Sequence, residues 1–424
     1  MRLMKPENID NLDLSKPNGL DDYHIGYQVK VITPIYGGGV KAGEPDTDMP
    51  IRASAIKGQL RYWWRFLQSN HIEDKNKQLK GTDLFIKERD IWGGMGDESE
   101  KEKGKDFSSK VFLQIHTENS LEVKECSPSK YNQLNQNNRS ALHYALFPVI
   151  QNSHDLLDCE ELTFTLKVRA SKEEIIEAQW KTIQEAIQWW ACFGGLGART
   201  RRGLGAVEIN QLALIAEEEV KNYGCTLKIL PPNPDATTAW NKSIDKLQTF
   251  RQGKNIGRNK GSDPKKPKKL GRSFWPEADT IRKITNKNAN GKHPVEHGAV
   301  ESFPRAAFGL PIIFDFNAPP SVGEPNTTEL KPKNSERMAS PLILKPMAVG
   351  DNKYAPIALL LPTEHLQTLE LELLDGKREL KKLSANTWWP NNQDKQKNLA
   401  KEIPPMRSRG NTALEAFMNY FGGK

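Results

Sequence analysis

Apolar and polar residues alternate in three short segments of the first half of the chain, and a period of two is typical of β-strands with one buried face. These segments cover residues 27–33, 109–116 and 162–168, and a fourth short alternation starts at Ala206. Two longer segments, residues 51–67 and 173–193, repeat apolar side chains every three or four positions, which predicts helices. The predicted order is strand, helix, strand, strand, helix, strand.

This order is that of the split βαβ or ferredoxin-like arrangement, whose four-stranded sheet also occurs in RNA-binding (RRM-like) modules. In the second half, the patterns predict strands near residues 225–230, 303–316, 338–347 and 355–361, and helices near 238–251 and 411–421. We therefore expect an α+β protein with two ferredoxin-like domains, the second degenerate, and with loop insertions. The expected domains are residues 1–215 and 216–424, and the second carries a basic insertion at residues 251–272.

The first predicted helix has an apolar stripe beside a basic one, with Ser54 as its candidate N-cap. The apolar stripe consists of Ile56, Leu60, Trp63, Trp64 and Leu67. Lys57, Arg61 and Arg65 follow one another at intervals of four residues on the neighbouring stripe. The apolar stripe predicts core packing, whereas the basic row fits either a solvated surface or a set of phosphate contacts.

A loop rich in glycine and arginine follows the second predicted helix and defines the best candidate site. Residues 194–205 contain five glycines and three arginines. Glycine allows positive φ and close approach to the backbone, and arginine offers a planar charged fork that suits phosphate. A nucleotide-binding loop would need a strand before it and a helix after it, which is the reverse of the order here. An ordinary helix-ending glycine with solvated arginines remains the alternative.

Composition favours an anionic partner, because 61 Lys and Arg residues outnumber 53 Asp and Glu residues and give a net charge of +8. The polar N-terminus does not resemble a signal peptide, and no apolar run approaches the roughly 18 residues of a membrane span. We expect a cytoplasmic protein without membrane contact. The four cysteines are widely spaced and form no Cys-x-x-Cys pair, which indicates neither a zinc ribbon nor a disulfide framework. We expect no metal site and no cofactor.

Several motifs resemble those of the RAMP (repeat-associated mysterious protein) superfamily, and specifically its first-numbered subunit in type III-B (Cmr) CRISPR effector complexes. The matching segments are the strand ending at Thr33-Pro34, the Gly37–Gly39 loop, the block from Ile51 to Arg65, and the glycine-rich loop. Shorter blocks at residues 91–94, 305–311 and 337–342 are also similar.

The resemblance implies a non-catalytic subunit that serves antiviral defence, contacts guide CRISPR RNA and target RNA near the 3′ end of the guide, and assembles with other RAMP subunits. Phosphate contacts position RNA without reading its sequence, which suits a subunit that must accept any guide. The candidate RNA-binding residues are Arg52, Lys57, Arg61, Arg65, Gly194, Gly195, Gly197, Arg199, Arg201, Arg202, Gly203, Gly205, Arg305, Arg337 and Lys345.

The alternative function is a metal-independent RAMP endoribonuclease that processes guide precursors. Such a reaction would use a histidine as general acid or base, and His24 near the first strand is the candidate. His293 and His297 are four residues apart, but the surrounding glycines and proline argue against a helical metal site. We predict no catalytic residue and no metal ligand.

Overall fold

A computed structural model describes residues 22–39, 41–71, 78–96, 106–117, 123–135, 138–158, 162–261, 270–316 and 320–423. Its helices are α1 Ala53–Asn70, α2 Gly81–Trp92, α3 Ser129–Asn132, α4 Leu142–Gln151, α5 Glu177–Phe193, α6 Glu217–Lys221, α7 Ala236–Gln252, α8 Glu277–Thr285, α9 Ala385–Trp388, α10 Gln393–Glu402 and α11 Ala413–Phe421.

The strands of the first half are β1 Asp22–Val31, β2 Gly94–Met95, β3 Asp106–Phe107, β4 Val111–His116, β5 Glu125–Cys126, β6 Gln133–Asn135, β7 Asn138–Arg139, β8 Leu156–Leu157, β9 Thr163–Ser171 and β10 Val207–Glu208. Those of the second half are β11 Thr226–Ile229, β12 Arg258–Lys260, β13 Leu270–Ser273, β14 Ile312–Phe314, β15 Thr328–Pro332, β16 Leu342–Ala348, β17 Tyr354–Leu360, β18 Leu371–Asp375 and β19 Arg378–Leu383.

The first unit is an antiparallel sheet in the order β10-β1-β9-β4, with α1 packed against α5. Its elements follow the predicted sequence of strand, helix, strand, strand, helix, strand. Alternation places Tyr27, Val29 and Val31 of β1 in the core and leaves Gln28 and Lys30 exposed. One face of the sheet is therefore buried, as the period of two predicts.

The apolar stripe of α1 is buried as predicted, with Trp63 only 1% and Trp64 only 2% exposed. Trp63 packs against Trp189 and Phe193 of α5, with ring centroids 5.7 and 6.2 Å apart. Full burial of each large apolar side chain contributes about 1.5–3 kcal/mol. These tryptophans therefore belong to the core and are not surfaces on which a base could stack.

The second unit contains the antiparallel sheet β11-β17-β16, on which α7 and α11 pack. The elements β11, α7, β16, β17 and α11 repeat the kinds and order of the first five elements of the first unit. A separate sheet has the strand order β14-β15-β18-β19. Its strands come from segments of the chain that contain none of the family motifs. The α+β class is confirmed, whereas the division into two ferredoxin-like domains at residue 215 stays a prediction.

Several predicted element ends were wrong. The N-cap of α1 is Arg52 and not Ser54. Helix α5 begins at Glu177 rather than at residue 173, because Ser171 ends β9 and the residues that follow form a turn in which Ile175 is buried. The expected strand at residues 303–316 is mostly a short 3-10 helix, Pro304–Phe308, before β14. Helix α2 was not predicted, because its buried positions include Glu88 and Arg89 and so break the apolar period.

None of the helices in the described part of the chain combines the length and the apolar character needed to cross a membrane.

Candidate nucleic-acid interface

The glycines of the loop at residues 194–205 allow it to pack tightly inside the molecule. Gly197, Gly203 and Gly205 have φ angles of 71°, 88° and 62°, a region that favours glycine. A Cβ at Gly203 would lie 2.5 Å from the indole ring of Trp240, and one at Gly205 would collide with the carbonyl oxygen of Leu196. Within this fully described loop, Gly197 and Ala198 are the exposed residues, and Gly194 and Gly195 are buried.

The three arginines of the loop donate to backbone carbonyls of the protein. Arg199 Nε donates to Ala145 (3.0 Å), and Arg202 Nη1 donates to Leu342 (2.8 Å). Arg201 donates to the carbonyl of Ser340. Burial lowers the pKa of Arg199 and lowers that of Arg202 to about 10. Two of these guanidinium groups therefore join the loop to the second unit.

Helix α1 and the glycine-rich loop meet directly. The Nη2 of Arg201 donates to the hydroxyl of Tyr62 at 3.1 Å, and its guanidinium carbon lies 5.8 Å from the centroid of that ring. At the other side of the loop, Ala198 donates its N–H to the carbonyl of Tyr36 (2.7 Å), beside the Gly37–Gly39 turn. Gly38 is exposed next to this contact.

Two cations of the basic row on α1 are paired with a carboxylate. Glu88 of α2, whose side chain is 7% exposed, accepts from Arg61 Nε at 2.6 Å and from Arg65 Nη1. Arg61 and Arg65 remain 33% and 40% exposed. No local pattern could have revealed this acid, because it lies more than 20 residues away on a helix that was not predicted.

The first turn of α1 has the features of an anion-binding helix end. It contains no acidic residue, and no side chain caps its N–H groups. Arg52 stands at the N-cap and Lys57 one turn further on, and neither forms an ion pair among the residues that the structure describes. Burial, and secondarily the charge of Arg61, lowers the pKa of Lys57.

The three candidates of the second unit differ in exposure. Arg337 is exposed, and its charge contributes to lowering the pKa of Arg199. Arg305 is mostly buried, with Nε 3.1 Å from Glu277 and its guanidinium carbon 5.9 and 5.6 Å from the ring centroids of Trp275 and Phe314. Lys345 is fully buried and donates to the carbonyl of Gly194 (2.8 Å).

We define the loop–helix junction as Gly38, the tip Gly197-Ala198, Arg52 and Lys57 of α1, and Arg337. The contact between Tyr62 and Arg201 joins α1 to the loop. The hydrogen bond from Arg201 to Ser340 holds the segment that follows Arg337 against the same loop. Buried Lys345 lies outside this surface, and Arg305 is held by Glu277.

The sequence of this region matches a known family. Residues 28–208 match the family model of the RAMP superfamily. This part of the chain is similar to the RAMP superfamily. The match runs from within β1 to the end of β10, so it covers α1, α5 and the glycine-rich loop. The superfamily resemblance found in the sequence motifs is therefore confirmed.

Solved structures similar to the chain include apo Cmr1 from Pyrococcus furiosus, at 14% identity over 87% of this chain and 95% of that chain, with a TM-score of 0.43. A chain of the type III-B Cmr-beta complex bound to cognate target RNA is 13% identical over 81% of this chain and 95% of that chain, with a TM-score of 0.41. A chain of a type IV-B CRISPR complex is 14% identical, covers 46% of this chain and 93% of that chain, and has a TM-score of 0.28. No curated protein matches the chain.

The histidines considered for catalysis or metal binding lie apart from the junction. His24 is exposed on β1, opposite Arg169 in the strand register. In the second unit His293 contacts Glu324, and His297 Nε2 lies 3.0 Å from the carbonyl of Phe274. In the described segments of the chain, no group of three or more His, Cys, Asp or Glu residues could hold a metal ion.

Proposed function

We propose that the protein is a non-catalytic RNA-binding subunit of a type III-B CRISPR effector complex. Its role is antiviral defence in the cytoplasm. It contacts guide and target RNA near the 3′ end of the guide, through backbone phosphates, and it assembles with other RAMP subunits. Its two domains are both ferredoxin-like, and the second is a degenerate form of that fold.

The observation that carries this proposal is the meeting of α1 and the glycine-rich loop, through Arg201 and Tyr62, within the segment that matches the RAMP family model. This contact ties the middle of α1, whose first turn is uncapped, to the loop, whose glycine tip is exposed. Backbone N–H groups at such a helix end attract anions, and glycine lets a phosphate approach the chain closely.

The charges around the junction support a polyanionic ligand. Arg52, Lys57 and Arg337 form no ion pair with a carboxylate among the residues described, so their charge is available to a phosphate. Arg61 and Arg65 share the single carboxylate of Glu88 and keep a net positive charge at the same helix. The loop arginines instead shape the junction by bonding to carbonyls.

The experiment compares RNA binding of the full-length protein with that of the triple variant Arg52→Gln, Lys57→Gln, Arg337→Gln, using an unstructured labelled RNA at several salt concentrations. Each phosphate contact to a single strand contributes about 0.7 to the salt slope, so the slope should fall by up to about 2. A matched control removes three exposed lysines of α10, Lys395, Lys397 and Lys401, and should keep the wild-type slope.

Two results would overturn the proposal. One is a triple variant that keeps the wild-type slope, and the other is a wild-type protein with no affinity for RNA. The non-catalytic part is tested separately by incubating the protein with CRISPR repeat RNA in EDTA. Intact RNA is expected, whereas a defined cut would favour the endoribonuclease alternative and an acid–base role for a residue such as His24.

A further inference from the structure

The outer face of the first sheet is open to solvent over three strands. Core residues occupy every second position of β1, β9 and β4, and the intervening side chains point away from the core. The exposed side chains include His24, Gln28, Lys30, Phe112, Gln114, His116, Lys167 and Arg169. This face is separate from the loop–helix junction, because α1 and α5 pack together with the buried face.

The strand register arranges these side chains in rows across the sheet. His24, Arg169 and Phe112 form one row, Gly26, Lys167 and Gln114 the next, and Gln28, Thr165 and His116 the third. Neighbouring strands lie about 4.8 Å apart, so members of a row are adjacent. The face therefore presents aromatic, basic and amide groups side by side on a rigid support.

The charge of this face is positive. Arg169 Nε lies 3.8 Å from Asp22, and Lys30 Nζ lies 4.0 Å from Glu208, whose carboxylate also accepts from the hydroxyl of Tyr354. Lys167 is exposed and forms no ion pair with any residue that the structure describes. Three cations and two acids leave excess positive charge, with Lys167 in the central row.

An exposed aromatic ring accompanies these cations. Phe112 is 51% exposed although it lies in a sheet whose other face is core, and the guanidinium carbon of Arg169 lies 5.4 Å from its ring centroid. RNA-binding sheets stack unpaired bases on exposed aromatic rings and arginine planes, while nearby cations hold the phosphates. Phe112, Arg169 and Lys167 supply these three kinds of contact within two adjacent rows.

We infer that this open sheet face binds single-stranded RNA, with a base stacked on Phe112 beside Arg169 and with phosphates on Lys167 and Lys30. This inference rests on the proposed function, since it gives the same subunit a second surface for RNA. The excess positive charge favours RNA over a protein partner. For a protein partner, the exposed ring of Phe112 alone would provide the contact.

The test uses the full-length protein and a single-stranded RNA that contains 4-thiouridine. Crosslinking should label the tryptic peptide of residues 111–124, which contains Phe112. Phe112→Leu should weaken binding about 5- to 100-fold, because leucine keeps the apolar surface but cannot stack a base. Phe112→Trp should retain affinity, and Lys167→Gln should lower the salt slope by about 0.7.

The matched control is Phe147→Leu, because Phe147 is also exposed, at 52%, but lies on α4. This variant should bind RNA as the wild type does.

If the wild type binds RNA but Phe112→Leu and Lys167→Gln bind equally well, the sheet-face inference fails while the proposed function stands. If Phe112→Leu retains RNA affinity and Phe112→Ala loses a protein subunit, the face is a protein interface. A wild type without RNA affinity overturns both.

Discussion

The Nζ of Lys345 lies 2.8 Å from the carbonyl oxygen of Gly194, and both residues are buried. Lys345 belongs to β16 of the second unit, and Gly194 follows the last residue of α5. A lysine side chain near the carboxyl end of a helix can donate hydrogen bonds to its last carbonyls. This bond therefore fixes the start of the glycine-rich loop against the second unit.

Lys345 should make the stability of the protein depend on alkaline pH. Burial lowers its pKa from 10.5 to about 7 in the folded protein. Between these values the unfolded chain binds a proton that the folded chain has released, so the free energy of unfolding rises with pH by up to ~1.4 kcal/mol per unit. Lys345→Met should lack this contribution, and urea denaturation between pH 7 and pH 9.5 measures it.

The control for this prediction is Lys167→Met, which removes an exposed lysine. The difference between the free energies of unfolding of wild type and Lys345→Met should grow in favour of the wild type as pH rises. Equal pH slopes for the two proteins would show that Lys345 keeps its proton when the protein folds.

Local sequence patterns predicted the helices and strands whose buried face is formed by residues close together in the sequence. The alternation in β1 and β9 and the apolar stripe of α1 reflect burial of a single face, so each was visible in the sequence. Helix α2 was missed because Glu88, paired with Arg61 and Arg65 of α1, and Arg89, which lies over the ring of Phe107, occupy buried positions. A repeat of apolar residues does not reveal charged residues that are buried because they form ion pairs.

The unusual backbone of the glycine-rich loop was predictable from the sequence, but the partners of its arginines were not. Glycine and arginine in one loop correctly marked an unusual backbone, yet the carbonyls that Arg201 and Arg202 bind lie about 140 residues away in the sequence. Lys345 could not be recognised as buried, because its partners, Gly194 and Ala191, belong to the other unit. RNA contact by these residues, predicted from the sequence, is untested, and their bonds within the protein favour a structural role.

Gly205→Ala should destabilise the protein strongly. Its φ of 62° disfavours a side chain, and the added methyl group would collide with the carbonyl of Leu196. We expect a loss of about 2–4 kcal/mol in the free energy of unfolding, measured by urea denaturation. The control is Gly58→Ala in α1, where the methyl group meets nothing within 4 Å and should stabilise by about 0.5–1 kcal/mol. A neutral Gly205→Ala would contradict the packed loop.

Arg202→Met should reduce stability without changing RNA binding. The guanidinium donates to the carbonyls of Leu342 (2.8 Å) and Arg201 (3.1 Å), which methionine would leave unpaired in a buried place. The expected loss in the free energy of unfolding is about 2–4 kcal/mol, with an unchanged salt slope for RNA. Exposed Arg337 is the comparison, because Arg337→Met should preserve stability and lower the slope by about 0.7. A lower slope for Arg202→Met at full stability would identify a phosphate contact instead.

Glu88→Gln should release two cations on α1. The nearly buried carboxylate accepts from Arg61 and Arg65, so its loss should lower the free energy of unfolding by about 1–2 kcal/mol, moderated because both arginines can reach water. The freed guanidinium groups can then contact phosphates, and the salt slope for RNA should rise by up to about 1.4. The control Glu177→Gln removes an exposed acid of α5 and should change neither quantity. If Glu88→Gln weakens RNA binding while the protein stays folded, the pairing with Glu88 orients these arginines for RNA, and the ion pair is part of the interface rather than a competitor for it.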